Sequence, residues 1–192
     1  MKPRRLEGLL GIVTYPLLHG DWKHITDNSV PAFVLLFGMF SFYGRLTWQV
    51  LGWSWVMSAV WMWVAAREGN HIGFSGVIYA LASFIFFSGV FRRYYRLMAL
   101  SLIVVFLYGS MVWGVLPIQP QVSWEGHLFG AIAGFILAVY LRNKGPQRPQ
   151  YSWELEEEDE DVDPYWNQQK EVPMRDTPSI NYEYRTGKKS ID

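Results

Sequence analysis

The residues able to do chemistry gather around a serine set between glycines, Gly73-Phe74-Ser75-Gly76, at the start of an apolar run over residues 74–91. A run of that length can cross a bilayer. A hydroxyl at membrane depth is costly unless paired, so a polar cluster there is a functional site by default. Serine is a weak nucleophile at its own pKa and needs a base within hydrogen-bond reach. Of the four histidines, His127 stands in the equivalent place, at the start of the apolar run 126–141. One further apolar segment, 97–116, lies between the two runs, so the chain reverses twice and both starts fall on one membrane face. Ser75 and His127 can therefore meet as nucleophile and general base. His24 and Asn28 are four apart, which puts them on one helix face, at a span start on that same side. An amide and an imidazole, together with the Ser75 N–H, are the donors a developing oxyanion needs.

The elements that position these groups follow from composition. A bilayer core of about 30 Å is crossed by about 20 mostly apolar residues as helix. Five segments come near that length: 25–43, 48–66, 74–91, 97–116 and 126–141. The chain is 51% hydrophobic with ten tryptophans, and the connections between the segments are short enough to force antiparallel neighbours. The expected fold class is all-α, a polytopic helical membrane bundle with five transmembrane helices. Gly126, Gly130 and Gly134 recur every four residues, a stripe of small side chains that lets membrane helices approach closely. Ala80 and Ser83 offer a matching small surface on the serine span. Glu125 is two residues from His127, about 200° around a helix, and so faces elsewhere.

The net charge of zero hides a division. Residues 1–150 hold twelve Lys and Arg against five Asp and Glu, whereas 151–192 hold five against twelve. Arg45, the group Arg92, Arg93 and Arg96, and the group Arg142, Lys144 and Arg148 share one side by the alternation of spans, which makes that side cytoplasmic. Ser75 and His127 then open away from the cytoplasm. Residues 1–144 are read as the membrane domain and 145–192, with the acidic block 154–163, as a disordered cytoplasmic tail. There is no cysteine, hence no disulfide framework, thiolate nucleophile or zinc–thiolate site. His19 and His24 read as interfacial residues or as metal ligands. With no H-E-x-x-H and no intramembrane carboxylate pair, no metal or cofactor is expected.

Taken in order, H-x-x-x-x-H-x-x-x-N at His19, His24 and Asn28, G-x-S-G at Gly73 to Gly76 with an aromatic four residues beyond the serine, and G-H-x-x-G-x-x-x-G at Gly126 to Gly134 resemble the rhomboid family of intramembrane serine proteases. The resemblance covers about residues 9–141. It implies Ser75 as nucleophile and His127 as base in a dyad, and Asn28 and His24 as oxyanion donors. It further implies Tyr79 packed on the imidazole, and His19, Gly73 and Gly130 in supporting places. Substrates would be single transmembrane segments of other proteins, weakened near the cut by Gly or Pro. The partners are such substrates and the lipid bilayer, with no nucleic acid, in a bacterial plasma membrane. Phe129 stands where the family often has a smaller residue. The family's six-span core has a helix ahead of the first motif, so a helix is expected to be missing before residue 6. Two rivals remain: an inactive rhomboid-like protein that binds transmembrane clients, and a transporter, which would want polar groups along a path and not at one face.

Overall fold

The computed structural model describes residues 1–118 and 122–151, and residues 1–149 form one compact unit. The acidic block, and the expected tail from residue 152 onward, lie outside the described residues. Among the described residues the regular structure is helical: α1 (Leu10–Thr14), α2 (Trp22–Tyr43), α3 (Leu46–Ala65), α4 (Ser75–Arg92), α5 (Tyr95–Tyr108) and α6 (Trp124–Tyr140), with 3-10 turns at Leu6–Gly8, Tyr15–Leu17 and Gly109–Val115.

All five expected spans are present as helices, with shifted ends. Trp22–Tyr43, Ser75–Arg92 and Tyr95–Val115 are long and apolar enough to cross a membrane, and Trp124–Tyr140 is a shorter apolar helix. α3 has 20 residues, but it carries Ser54 and Ser58 on its buried face and five Trp along its length, and falls outside that set. The α2 boundary moved because Asp21 caps it, accepting from the His24 backbone N–H at 2.8 Å. That cap extends the helix three residues beyond the apolar run and brings His24 into its first turn. α5 ends earlier than expected at Gly109, where the backbone tightens into the 3-10 segment.

α4 is the central helix. Of its span 56% is buried, against 22% for α2 and 17% for Tyr95–Val115. Val77, Leu81, Phe84 and Ile85 on α4 pack with Leu35 and Met39 of α2, Val50 of α3, Leu97 and Leu100 of α5, and Leu137 of α6. The outer faces of α2 and α5 instead present Phe33, Phe37, Leu102 and Phe106, side chains suited to lipid.

The glycines of α6 set how close it lies to α4. A Cβ on Gly130 would overlap the Gly76 carbonyl oxygen, and one on Gly134 would overlap that of Ala80. Ser83 Oγ donates to the Ala131 carbonyl at 2.7 Å across the same seam. Gly126 departs from the expected stripe: its missing side chain would point at Met62 of α3, while its carbonyl faces Gly76. Phe129 packs on a second apolar cluster of Met1, Tyr15, Ala59, Met62 and Ala66, and this cluster accounts for a large residue there. Arg92 is not a free cytoplasmic charge. It is 7% exposed and donates to Ser88 Oγ, Leu141 O and Pro146 O, tying α4 to the end of α6, so the charge argument for orientation rests on the remaining basic residues.

Candidate active site

Ser75 is the first residue of α4 and His127 lies in the first turn of α6. The seam between Gly76 and Gly130 brings these two helix starts together, and His127 Nε2 stands 2.9 Å from Ser75 Oγ. The other ring nitrogen, Nδ1, is 2.9 Å from the Gly114 carbonyl oxygen. A carbonyl can only accept, so Nδ1 carries the proton and Nε2 presents its lone pair to the serine hydroxyl. The backbone thereby selects the tautomer that a general base requires.

Tyr79, one turn after Ser75, lies flat against the imidazole at 4.2 Å between centroids and 8° between planes. Its hydroxyl donates to the Met111 carbonyl at 2.8 Å. Both contacts reach the segment Gly109–Val115, which thus holds the ring through Gly114 O and holds the tyrosine beside it. A Cβ on Gly114 would overlap Tyr79 Oη, so only glycine lets this segment come so near. Gly114 was not foreseen from the sequence: it lies in an apolar run with no polar side chain to mark it.

Gly73 has φ of +106°, a conformation that glycine adopts without strain. A Cβ there would stand 2.6 Å from His24 Nε2 and 3.3 Å from Asn28 Nδ2. The glycine therefore lets the loop pass directly against the two α2 side chains. Asn28 is 6% exposed, and its Nδ2 has no hydrogen-bond partner. A buried amide donor held unpaired costs about 1 to 3 kcal/mol. Pro31, inside α2, has no N–H to give the Asp27 carbonyl one turn back. His19 meets His24 edge to face at 5.0 Å, with its own Nε2 buried and unpaired.

Tyr15 is a second residue without a sequence signal. It is 1% exposed, its carbonyl accepts from Gly73 N–H at 2.8 Å, and its hydroxyl lies 2.8 Å from Ser58 Oγ. Burial pushes the Tyr15 phenol up to about 12, so it remains a protonated donor to Ser58, whose own proton goes to Ser54 O at 2.6 Å. The loop before Ser75 is thus pinned from below by Tyr15.

A cavity of about 670 Å³ is lined by His24, Asn28, Ile72, Ser75, Ser123 and His127 and reaches the surface at Asp21, Lys23 and Asp27. It gives water a polar path to the serine. The helical bonding of α4 begins with Val77 and Ile78 N–H to the Phe74 carbonyl, so the N–H groups of Ser75 and Gly76 lie ahead of it, and Phe74 at the N-cap offers no side-chain acceptor; the positive end of the helix is directed at the place where negative charge would form. Among the described residues no three His, Asp or Glu side chains gather as metal ligands.

Residues 7–144 match the Rhomboid domain. The chain belongs to the rhomboid family. Uncharacterized proteins of Mycobacterium bovis and Mycobacterium tuberculosis are 34% identical to it over 158 residues, which cover 77% of this chain and 65% of each relative. An uncharacterized protein of Mycobacterium leprae is 35% identical over 152 residues, covering 73% of this chain and 58% of that protein. The aligned part of this rhomboid thus spans less than two thirds of the length of these relatives. No solved structure gives a significant match. Family membership, together with the apolar helices, makes the protein an integral membrane protein.

Proposed function

We propose that this rhomboid is an intramembrane serine endopeptidase that cuts other membrane proteins in or near their transmembrane segments, with Ser75 and His127 as a dyad. The observation that carries the reading is the 2.9 Å contact between His127 Nε2 and Ser75 Oγ, with the tautomer set by Gly114 O. His127 takes the Ser75 proton as Oγ attacks the scissile carbonyl. Charge then forms on the carbonyl oxygen, where the Ser75 N–H, Asn28 Nδ2 and the His24 ring would donate to it. His127 next protonates the leaving amine, and water entering through the polar cavity hydrolyses the acyl-enzyme with the same histidine as base. Tyr79 keeps the ring from rotating, and His19 supports His24. The site opens away from the cytoplasm, in a bacterial plasma membrane, with residues 1–144 as the membrane domain and 145–192 as a cytoplasmic tail.

The test uses purified protein in detergent, a fluorophosphonate probe and a model transmembrane substrate. Labelling and cleavage should both vanish in Ser75→Ala and in His127→Ala. Cleavage that survives Ser75→Ala would refute the proposal. Binding of a transmembrane client with no labelling in the parent would favour the inactive, client-holding reading.

A further inference from the structure

A second serine–histidine contact lies beside the first. His71 Nδ1 is 2.5 Å from Ser123 Oγ, and His71 Nε2 is 3.0 Å from the Arg67 carbonyl. The carbonyl again accepts, so Nε2 carries the proton and Nδ1 accepts from the serine hydroxyl. Both histidines are wired alike, one nitrogen to a backbone carbonyl and the other to a serine. Their placement is also parallel, since His71 precedes Ser75 by four residues and Ser123 precedes His127 by four.

Ser123 occupies the N-cap position of α6, where a serine ordinarily accepts from a first-turn N–H. Its side chain makes no such bond. The hydroxyl is turned away from its own helix and given to the loop ahead of α4. His71 is 3% exposed, and its backbone is held on both sides, donating N–H to Met1 O at 3.0 Å and accepting at its carbonyl from Met1 N at 2.6 Å. Around this contact the same two segments meet again: Arg67 donates to Val122 O at 2.7 Å and pairs at 3.2 Å with Glu125, which is 4% exposed. Along their length α4 and α6 are held by glycine packing and by the Ser83–Ala131 and Arg92–Leu141 bonds, which lie farther from the dyad than the two helix starts. A directional bond at the mouth of the seam opposes sliding.

We infer that His71 and Ser123 are a positioning pair that fixes the starts of α4 and α6 in register, so that His127 Nε2 stays within hydrogen-bond reach of Ser75 Oγ. The inference rests on the dyad reading above. A displacement of about 1 Å at reacting atoms can cost about a hundredfold in rate, and neither member of the pair touches the Ser75–His127 bond itself.

The experiment takes the full chain in detergent and measures the fluorophosphonate labelling rate, kcat and KM on the transmembrane substrate, and thermal unfolding. The variants are Ser123→Ala, His71→Ala, their double, and His71→Asn, whose Oδ1 can accept from Ser123 as Nδ1 does. Ser123→Ala removes one hydroxyl and leaves the fold's apolar contacts in place. It should lower labelling rate and kcat together by about tenfold or more with KM little changed. The double variant should be no slower than His71→Ala, because both remove one interaction, and His71→Asn should regain part of the rate. Parental rates in Ser123→Ala, losses that multiply in the double, or losses that match only a fall in folded fraction would each overturn the pair while leaving the dyad intact. Labelling that persists in Ser75→Ala and disappears in Ser123→Ala would overturn it differently, by making Ser123 the nucleophile. A parent that never labels at Ser75 removes the dyad reading and this inference with it.

Discussion

Gly130→Ala is the sharpest test of how the helices create the site. A Cβ at 130 overlaps the Gly76 carbonyl oxygen and stands 2.9 Å from its carbon and 3.3 Å from its Cα, where ordinary contact begins at 3.4 Å. The three nearest atoms are all backbone of α4, which cannot rotate aside, so the helices must separate. Relieving the overlap with the oxygen takes about 1 Å, since packed interiors leave no void to absorb it. The same displacement applied to the 2.9 Å Ser75–His127 contact carries it beyond hydrogen-bond range. The expected loss is about a hundredfold in labelling rate and kcat, or about 2.7 kcal/mol of barrier at 1.36 kcal/mol per tenfold. The gain in helix propensity from Gly to Ala, about 1 kcal/mol, acts on stability and not on this distance. Gly52→Ala is the control, because a Cβ there meets nothing within 4 Å. Fluorophosphonate labelling followed over time in detergent, beside thermal unfolding, reads both effects. A Gly130→Ala protein that labels at the parental rate would refute the argument that this seam sets the dyad distance.

Asn28→Ala should lower kcat much more than it changes KM, by up to about 2.7 to 4 kcal/mol of barrier; an equal rise in KM with kcat intact would assign Asn28 to substrate binding instead. Tyr79→Phe keeps the stacked ring and loses only the bond to Met111 O, so steady-state activity should fall modestly, whereas Tyr79→Ala should fall far more; equal effects would shift the weight from the stack to the hydroxyl. Arg92→Leu leaves Ser88, Leu141 O and Pro146 O without their donor, each costing about 1 to 3 kcal/mol. Its melting temperature should drop clearly, with labelling per folded molecule retained. The chain has no cysteine, so single-cysteine variants report topology directly: Glu68→Cys, on the Ser75 side, should react with an impermeant maleimide added outside intact cells, and Asn143→Cys only after the membrane is opened. The reverse pattern would invert the orientation.

Much of this architecture was legible before any coordinates. The apolar runs marked the helices because a bilayer demands a fixed length of apolar chain, and counting reversals between them brought the starts of α2, α4 and α6 to one side. The four-residue spacing of His24 and Asn28, and of Gly130 and Gly134, needed only helical geometry to become faces. These are local or one-dimensional properties, and a sequence states them directly.

What only the tertiary structure decided is carried by backbone and by distant pairs. Gly114 holds His127 through a carbonyl, a group every residue has, so nothing in its sequence neighbourhood distinguishes it. Tyr15 pins Gly73 the same way, from 58 positions away in the chain. Gly126 looked like a third member of a stripe, yet at the mouth of the helix pair its bare face meets Met62 of α3 and not α4. Arg92 read as a surface charge until the end of α6 arrived to accept from it. Ser123 carries no signal in the sequence, and only the fold sets His71 beside it. In each case the partner was hidden, because a contact across the fold depends on where two distant segments come to rest, which packing settles and a pattern along one chain cannot express.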